Sequence, residues 1–469
     1  MSPNGKRVIF EARGDLFSVP AKRGATRRLT STSDVRERDP AISPDGEWLA
    51  YLSDATGEYE FYLRPTTGDA EPRQLTTGAE VWRYGATWSP DSSLLAFSDR
   101  KRRLSLIDVE SGEVTQVDTG FRGDLRDFHF SPDSRYLLYT RTREDSRIVG
   151  LSLYSIEGKK VTRLGDGQTL DFSPTWSHDG RYVFFLSNRD FNLTFSYFEF
   201  NYLYNRATRV YAAALDPEAP TLFPLRSDEV KKSKDDTAGQ DDANGDGDEK
   251  KGRKDKKGKK DKDGEKGDEK SDDAELTLDP DGFMARTFAV PKLEPGNYAS
   301  LTATEDALYF IQSQPGQPGQ LMRYDLKARK ADSVASVAFD YELAADGKKL
   351  LYVAGQDRFH VVKAAPGQDG GRLDLSGLRA KVDPQQEWAQ MFEDSWRISR
   401  DFFYDENMHG MDWDAIGERY RALVPHVAHR ADLDWILGEM VGELGAGHTY
   451  VQAGEAESVD RVEGGKLGA

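Results

Sequence analysis

The stretch Ser-Pro-Asp-Gly at residues 43–46, followed by Trp-Leu-Ala-Tyr at 48–51, decides the fold because the same pattern recurs along the chain. Proline presets φ at the second turn position, aspartate can bond its own backbone two residues on, and glycine tolerates positive φ. Each copy therefore reverses the chain between two strands. Seven copies, the last two of them degenerate, begin at Ser2, Ser43, Ser89, Ser131, Ser177, Ala303 and Ala344.

The spacing of these copies predicts a β-propeller. The first five copies are 41, 46, 42 and 46 residues apart, and the last two are 41 apart. Further β-rich pieces follow each turn, which gives about four strands per unit of roughly 40 to 45 residues. Seven such sheets packed radially leave only short, protected edges. We therefore predict a mainly β fold, a seven-bladed propeller of PD40/TolB-like blades over residues 1–380. The first copy lacks the preceding strand that 39–42 provides for the second, which leaves ring closure open.

Residues 228–275 predict a disordered, charged insertion within the propeller. The segment holds 14 Lys and Arg against 18 Asp and Glu, with no aromatic residue. It cannot bury enough apolar surface to offset the entropy of ordering it. Residues 242–248 imitate the opening of an EF-hand loop, but Arg253 stands where the bidentate glutamate belongs and no helix pattern flanks the loop. We therefore expect no calcium site.

Composition restricts the classes of function. The 469 residues include 64 Lys and Arg against 81 Asp and Glu, which gives a formal net charge of −17. Nucleic acid and anionic membrane surfaces would repel such a chain, so we expect neither as a partner. Cysteine is absent, which excludes disulfides and thiolate chemistry. No run approaches the roughly 18 apolar residues of a membrane span, and no export signal opens the sequence, so we expect a cytoplasmic protein.

Aromatic residues are dense over 191–204. One interpretation is a peptide-contacting surface near the propeller channel. The other is a pair of strands packed between blades, which the β-propensity of aromatic residues favours.

The pattern changes from period 2 to period 3.6 after Val382, which predicts a small helical domain over 383–469. Asp383 with Pro384 marks a helix start. A second helix is expected after Asp412 and a third is expected to stop at Gly445. The predicted inward-facing positions are Trp388, Met391, Phe392, Ser395, Ile398, Phe402 and Phe403, then Trp413, Ile416, Tyr420 and Leu423, then Leu433, Ile436, Leu437, Met440, Val441 and Leu444.

His448 follows the third helix, in Gly-Ala-Gly-His-Thr-Tyr-Val at 445–451. The helix dipole favours an imidazolium at this end by about 0.3 to 1 kcal/mol, which suits a base that holds a proton transiently. The alternative is a surface histidine after an ordinary glycine cap. The other six histidines show no metal-ligand spacing on one helix, and we expect neither a metal nor a cofactor.

Four segments of the tail carry a family resemblance, namely 388–400, Asp-Phe-Phe-Tyr at 401–404, His-Gly-Met-Asp-Trp at 409–413, and 442–450. Together with the seven blades, they resemble the second propeller and the C1 domain of the tricorn protease family. The resemblance implies a serine peptidase (an S41-like hydrolase) that degrades peptides, with a propeller that channels or filters the substrate. It also implies that His448 is the general base. Gly447 stands where relatives commonly carry an auxiliary serine.

The resemblance further implies parts that the 469 residues do not include. Relatives have a six-bladed propeller, and PDZ-like and C2 parts that supply the nucleophilic serine; the sequence here contains no Gly-x-Ser-x-Gly. We therefore expect a truncated C1-like domain and a chain that is inactive by itself, with the PDZ/C2 half as a partner in trans. We expect a homo-oligomer if the protein is full length. The alternative is a non-catalytic peptide- or protein-binding propeller module of the TolB-like type.

Overall fold

The computed structural model describes residues 1–68, 70–190, 193–204, 206–225, 278–337, 339–452 and 454. The chain divides into two compact units, one of Met1–Ala219 with Thr277–Ala469 and one of Pro220–Leu276. The predicted insertion at 228–275 lies outside the described residues. Within them, no helix is long and apolar enough to cross a membrane.

The larger unit contains seven antiparallel sheets of three or four strands, as the sequence predicts for a seven-bladed propeller. The first three are β1 (Arg7–Ala12), β2 (Asp15–Pro20), β3 (Arg27–Arg28); β4 (Glu37–Ile42), β5 (Trp48–Ser53), β6 (Glu60–Pro65), β7 (Arg73–Gln74); and β8 (Thr87–Trp88), β9 (Leu94–Ser98), β10 (Arg103–Asp108), β11 (Val114–Thr119). The fourth is β12 (Phe128–Phe130), β13 (Tyr136–Thr142), β14 (Val149–Ser155), β15 (Lys160–Arg163).

The fifth sheet contains an inserted hairpin between its second and third strands. Its strands are β16 (Asp171–Trp176), β17 (Tyr182–Ser187), β20 (Arg209–Ala214) and β21 (Thr287–Ala289), and the hairpin is β18 (Leu193–Ser196) with β19 (Asn201–Tyr204). The last two sheets are β22 (Tyr298–Ala303), β23 (Ala307–Gln312), β24 (Gly319–Asp325), β25 (Lys330–Val337); and β26 (Tyr341–Leu343), β27 (Lys349–Gly355), β28 (Arg358–Lys363).

The recurring turn is held by its serine as well as by the residues that follow. The Ser43 hydroxyl accepts the backbone N–H of Trp48 at 2.9 Å, and the Asp45 carboxylate accepts the N–H of Glu47 at 2.8 Å. Gly46 has φ +80°. The serine bond recurs at 2.9 Å in the third, fourth and fifth copies, from Leu94, Tyr136 and Tyr182 to Ser89, Ser131 and Ser177. In these four copies serine therefore closes the loop onto the first amide of the next strand.

The first and last sheets pack against each other, which answers the question of ring closure. Val8 of β1 and Val361 of β28 belong to one hydrophobic cluster, and the rings of Phe10 and Phe359 meet edge to face with centroids 4.8 Å apart. The Lys349 ammonium donates to the carbonyl of Gly5 at 3.0 Å. Side-chain packing and single hydrogen bonds join these two sheets, whose strands pair only within each sheet among the described residues.

Three α-helices follow the propeller: α1 (Pro384–Phe402), α2 (Trp413–Arg421) and α3 (Arg430–Gly442). Asp383 caps α1 by accepting the N–H of Gln385 at 3.1 Å, as predicted. The helix α3 ends at Gly442, earlier than the predicted stop at Gly445.

Most of the predicted inward positions form the helical core, but three predictions are wrong. Ile398, Phe402 and Leu423 are 42%, 40% and 40% exposed. In α1 the reason is that a second, polar face is buried: Asp394 and Arg397 are 6% and 3% exposed. An amphipathic pattern identifies only the apolar face.

The aromatic segment forms a strand pair, but the prediction that this pair packs between blades is wrong. The pair β18–β19 is a separate hairpin. Tyr197, Phe198 and Phe200 are 83%, 93% and 80% exposed, so these rings do not pack into the core.

Candidate active site

The loop after α3 carries His448. Leu444 is buried among the side chains of the three helices, and Gly445 then turns the chain with φ +59°. Ala446 packs partly against the same core, whereas His448 is exposed. His448 itself adopts φ +65°, a conformation that non-glycine residues seldom take. The loop therefore presents the imidazole outward from the end of a packed helix.

The Tyr450 hydroxyl lies 3.4 Å from Nδ1 of His448, with the two ring centroids 6.3 Å apart. Among the described residues, no other side-chain group lies within hydrogen-bond distance of this imidazole. In the tautomer whose Nδ1–H donates to the Tyr450 oxygen, Nε2 keeps a free lone pair and can take a proton from a neighbour. Sequence reasoning did not identify Tyr450, although its position two residues after His448 indicates a possible neighbour of the imidazole.

Gly447 has open space around it. A Cβ built at this position would meet no atom within 4 Å, and its φ lies outside the positive region. The backbone could therefore accommodate a serine here, and in this chain no hydroxyl is available from this position.

A buried charge network joins α1 to the propeller and so fixes where the helical part sits. Arg397 pairs with Asp394 at 2.8 Å and with Asp54, which directly follows β5. Asp394 also accepts the Tyr59 hydroxyl at 2.8 Å and pairs with Arg36 at 2.9 Å. The bonds to Asp54, Tyr59 and Arg36 connect residues more than 300 positions apart in sequence. The polar face of α1 is therefore a docking surface, which the helical pattern did not reveal.

The network holds its carboxylate in the charged form. Burial, the largest influence, works to raise the pKa of Asp394, but the charge of Arg397 and hydrogen bonds from Arg397, Arg36 and Tyr59 hold this pKa below its ordinary value. Burial and the charge of Asp394 raise the pKa of Tyr59, which stays a neutral donor. The ions are paired and hydrogen-bonded, as buried charges must be.

The fold and the loop together define a class: a seven-bladed propeller with a helical appendage that presents an exposed histidine. Two family models match the chain, the tricorn protease second β-propeller domain over residues 1–365 and the tricorn protease C1 domain over 384–442. The chain belongs to the tricorn protease family. The C1 match ends before His448, so the role of this residue is not assigned by it.

Similar proteins agree with this assignment. Tricorn protease homolog 1 of Streptomyces coelicolor is 29% identical over 94% of this chain, and the tricorn protease of Thermoplasma volcanium is 22% identical over 99%. The crystal structure of the tricorn protease has the same fold, with a TM-score of 0.75 over 95% of this chain at 19% identity. The chain spans 41% of the length of each of these three proteins.

Proposed function

We propose that the chain is the propeller and C1 part of a tricorn-type serine peptidase that degrades peptides. In this proposal the propeller channels or filters the substrate and the C1 part supplies His448 as the general base. Membership of the tricorn protease family supports the class of reaction. The cytoplasm is the location that we propose with it.

The single observation that carries the role of His448 is its arrangement with Tyr450. The imidazole is exposed on a loop, and its Nδ1 lies 3.4 Å from the tyrosine hydroxyl. In this mechanism Nδ1–H of His448 donates to the Tyr450 oxygen, and Nε2 takes the proton of a serine hydroxyl as that oxygen attacks the peptide carbonyl. The imidazolium then returns the proton to the leaving amine.

We propose that the nucleophilic serine comes from a segment or chain outside residues 1–469, such as a PDZ/C2 half acting in trans. Within the described residues, no serine hydroxyl contacts the imidazole of His448. The 469-residue polypeptide by itself is then inactive, and the active assembly contains several copies of the chain.

The test measures the hydrolysis of short fluorogenic peptides by the longest polypeptide that the gene encodes and by residues 1–469 alone. His448→Ala in the longer form should lower kcat by roughly 10⁶, the loss seen when a triad member is removed. His178→Ala, at an exposed propeller turn, is the matched control and should change nothing. Full turnover by the His448→Ala variant would refute the general-base role. Turnover by residues 1–469 alone would refute the claim of inactivity.

The hairpin β18–β19 favours a second candidate function, a non-catalytic module that binds peptides or proteins. Its exposed rings offer apolar contact area of the kind that marks binding surfaces. The hairpin replaces the turn between the second and third strands of its sheet, β17 and β20. The same turn contacts α1 in the second sheet through Gly57 and in the third sheet through Arg100. Peptide binding that is lost on Tyr197→Ser and Phe198→Ser, with no turnover in any form of the protein, would favour this function.

A further inference from the structure

His409 contacts the loop that carries His448, although it lies on a different segment, between α1 and α2. Its Nδ1 is 3.1 Å from the backbone carbonyl oxygen of Leu444, and its Nε2 meets the hydroxyl of Tyr404. The ring stands edge to face on Phe403, with centroids 5.0 Å apart. Leu444 directly precedes Gly445, so the imidazole of His409 is hydrogen-bonded to the residue at which the loop starts.

The two contacts define the protonation of the ring. A carbonyl oxygen can only accept, so Nδ1 of His409 carries the hydrogen and donates it to Leu444. In the neutral ring Nε2 then accepts from the Tyr404 hydroxyl. A single tautomer thus satisfies both sides of the ring at once.

A strained turn aims the ring at Leu444. Met408 and His409 have φ +49° and +55°, a region that side-chain-bearing residues seldom adopt. The backbone N–H of His409 donates to the Asp405 carboxylate at 3.1 Å, and the Met408 side chain is buried in the helical core. Strain of this kind persists where the surrounding contacts hold it in place.

We propose that His409 is a positioning residue that fixes the His448 loop through the carbonyl of Leu444. The inference rests on the proposed function of His448. Two glycines, Gly445 and Gly447, flank Ala446, so the loop has little stiffness of its own. A general base must be aligned with the proton that it takes, and an anchor at Leu444 limits the orientations that the imidazole can sample.

The experiment compares His409→Asn with His409→Asp. Asparagine and aspartate have the same size and both tolerate positive φ, but only asparagine offers an N–H near the position of Nδ1. Histidine labelled with ¹⁵N reports the tautomer of His409 in the unmodified protein. Order parameters of the Gly445 and Gly447 amides report the rigidity of the loop, and kcat and KM are measured in whichever form hydrolyses peptides.

We expect the Nδ1–H tautomer. In His409→Asp the two glycine order parameters should fall from about 0.85 to below about 0.6, whereas His409→Asn should keep the loop rigid. Where turnover is measurable, His409→Asp should lower kcat roughly two- to tenfold at unchanged KM, the effect of one net hydrogen bond. Asparagine should rescue kcat.

An Nε2–H tautomer would overturn the proposal, and so would equal loop order in the two variants, whether both are rigid or both are loose. The tautomer is read in the unmodified protein, so the test survives if a variant fails to fold. Retained turnover in His448→Ala would refute the proposed function and leave the loop measurement standing. Loss of turnover in His448→Ala with an unaffected loop in His409→Asp would refute only this inference.

Discussion

Glu37, in the first strand of the second sheet, is a buried carboxyl group whose ionised form destabilises the folded state. It is 5% exposed, and the Thr32 hydroxyl donates to it at 2.9 Å. Burial is the main cause that raises its pKa from 4.5 to about 7, and the nearby carboxylates Asp15 and Asp54 add to the effect. Between these two pH values the folded chain binds a proton that the unfolded chain has lost, so stability falls as pH rises through this window.

We predict that Glu37→Gln removes this pH dependence. The free energy of unfolding of the variant, taken relative to that of the unmodified protein, should be about 3 kcal/mol higher at pH 8 than at pH 5. Each pKa unit corresponds to about 1.4 kcal/mol. Urea unfolding at the two pH values measures the difference. Glu47→Gln makes the same change at an exposed position after the turn of the same sheet and should show no such gain. An equal effect of Glu37→Gln at both pH values would contradict the prediction.

The helix α1 packs two opposite faces, one apolar and one charged. Its apolar face meets α2 and α3 around Phe392. Its charged face meets the propeller, where Arg397 donates to the carbonyl of Gly57 at 2.6 Å and Arg400 binds Glu58 through its two Nη nitrogens at 2.6 and 3.0 Å. A helix held on both sides transmits the position of the propeller to the helical part, and hence to the loop of His448.

We predict that Arg397→Met destabilises the protein by about 3 to 5 kcal/mol. The change leaves Asp54 and Asp394 buried without their main cation, which is the costly way to break a buried pair. The midpoint of urea unfolding measures the loss.

Arg419→Met is the matched control. Arg419 pairs with Glu443 at 3.0 Å, but its side chain is 64% exposed. An exposed pair contributes about 0 to 1 kcal/mol, so this variant should unfold near the midpoint of the unmodified protein. Similar small effects of the two substitutions would show that the network at Asp394 does not hold α1 on the propeller.

For the whole molecule, local chemistry was predictable and distant pairing was not. The repeat at 43–46 predicted seven sheets because the turn depends on residues within five positions of each other, as the bond between Ser43 and Trp48 shows. Caps such as Asp383 are equally local. The bond from Tyr59 to Asp394 joins residues 335 positions apart, and no sequence pattern signals such a partner. The candidate base was named from a family resemblance, and its role stays a prediction.

The same distinction applies to ring closure, which depends on contacts between the two ends of the propeller. The rings of Phe10 and Phe359 join the first and last sheets, and the amide of Asp346 donates to the carbonyl of Pro3 at 3.1 Å. If this packing closes the ring, Phe359→Ala should loosen both sheets together. Removing a half-buried aromatic contact costs about 2 kcal/mol, which corresponds to roughly thirtyfold faster hydrogen exchange through local opening.

Hydrogen exchange read by mass spectrometry on β1, β2, β27 and β28 tests this prediction, with β13 and β14 on the opposite side of the ring as an internal reference. Phe288→Ala is the matched control, because Phe288 meets Tyr182 within the fifth sheet at 6.3 Å between centroids. It should loosen the fifth sheet and leave exchange in β1, β2, β27 and β28 unchanged. Faster exchange confined to β27 and β28 in Phe359→Ala would show that the first sheet is held independently. Faster exchange in β1 and β2 as well would show that the first and last sheets stabilise each other. Side-chain packing would then be the cause, because the two sheets share no strand among the described residues.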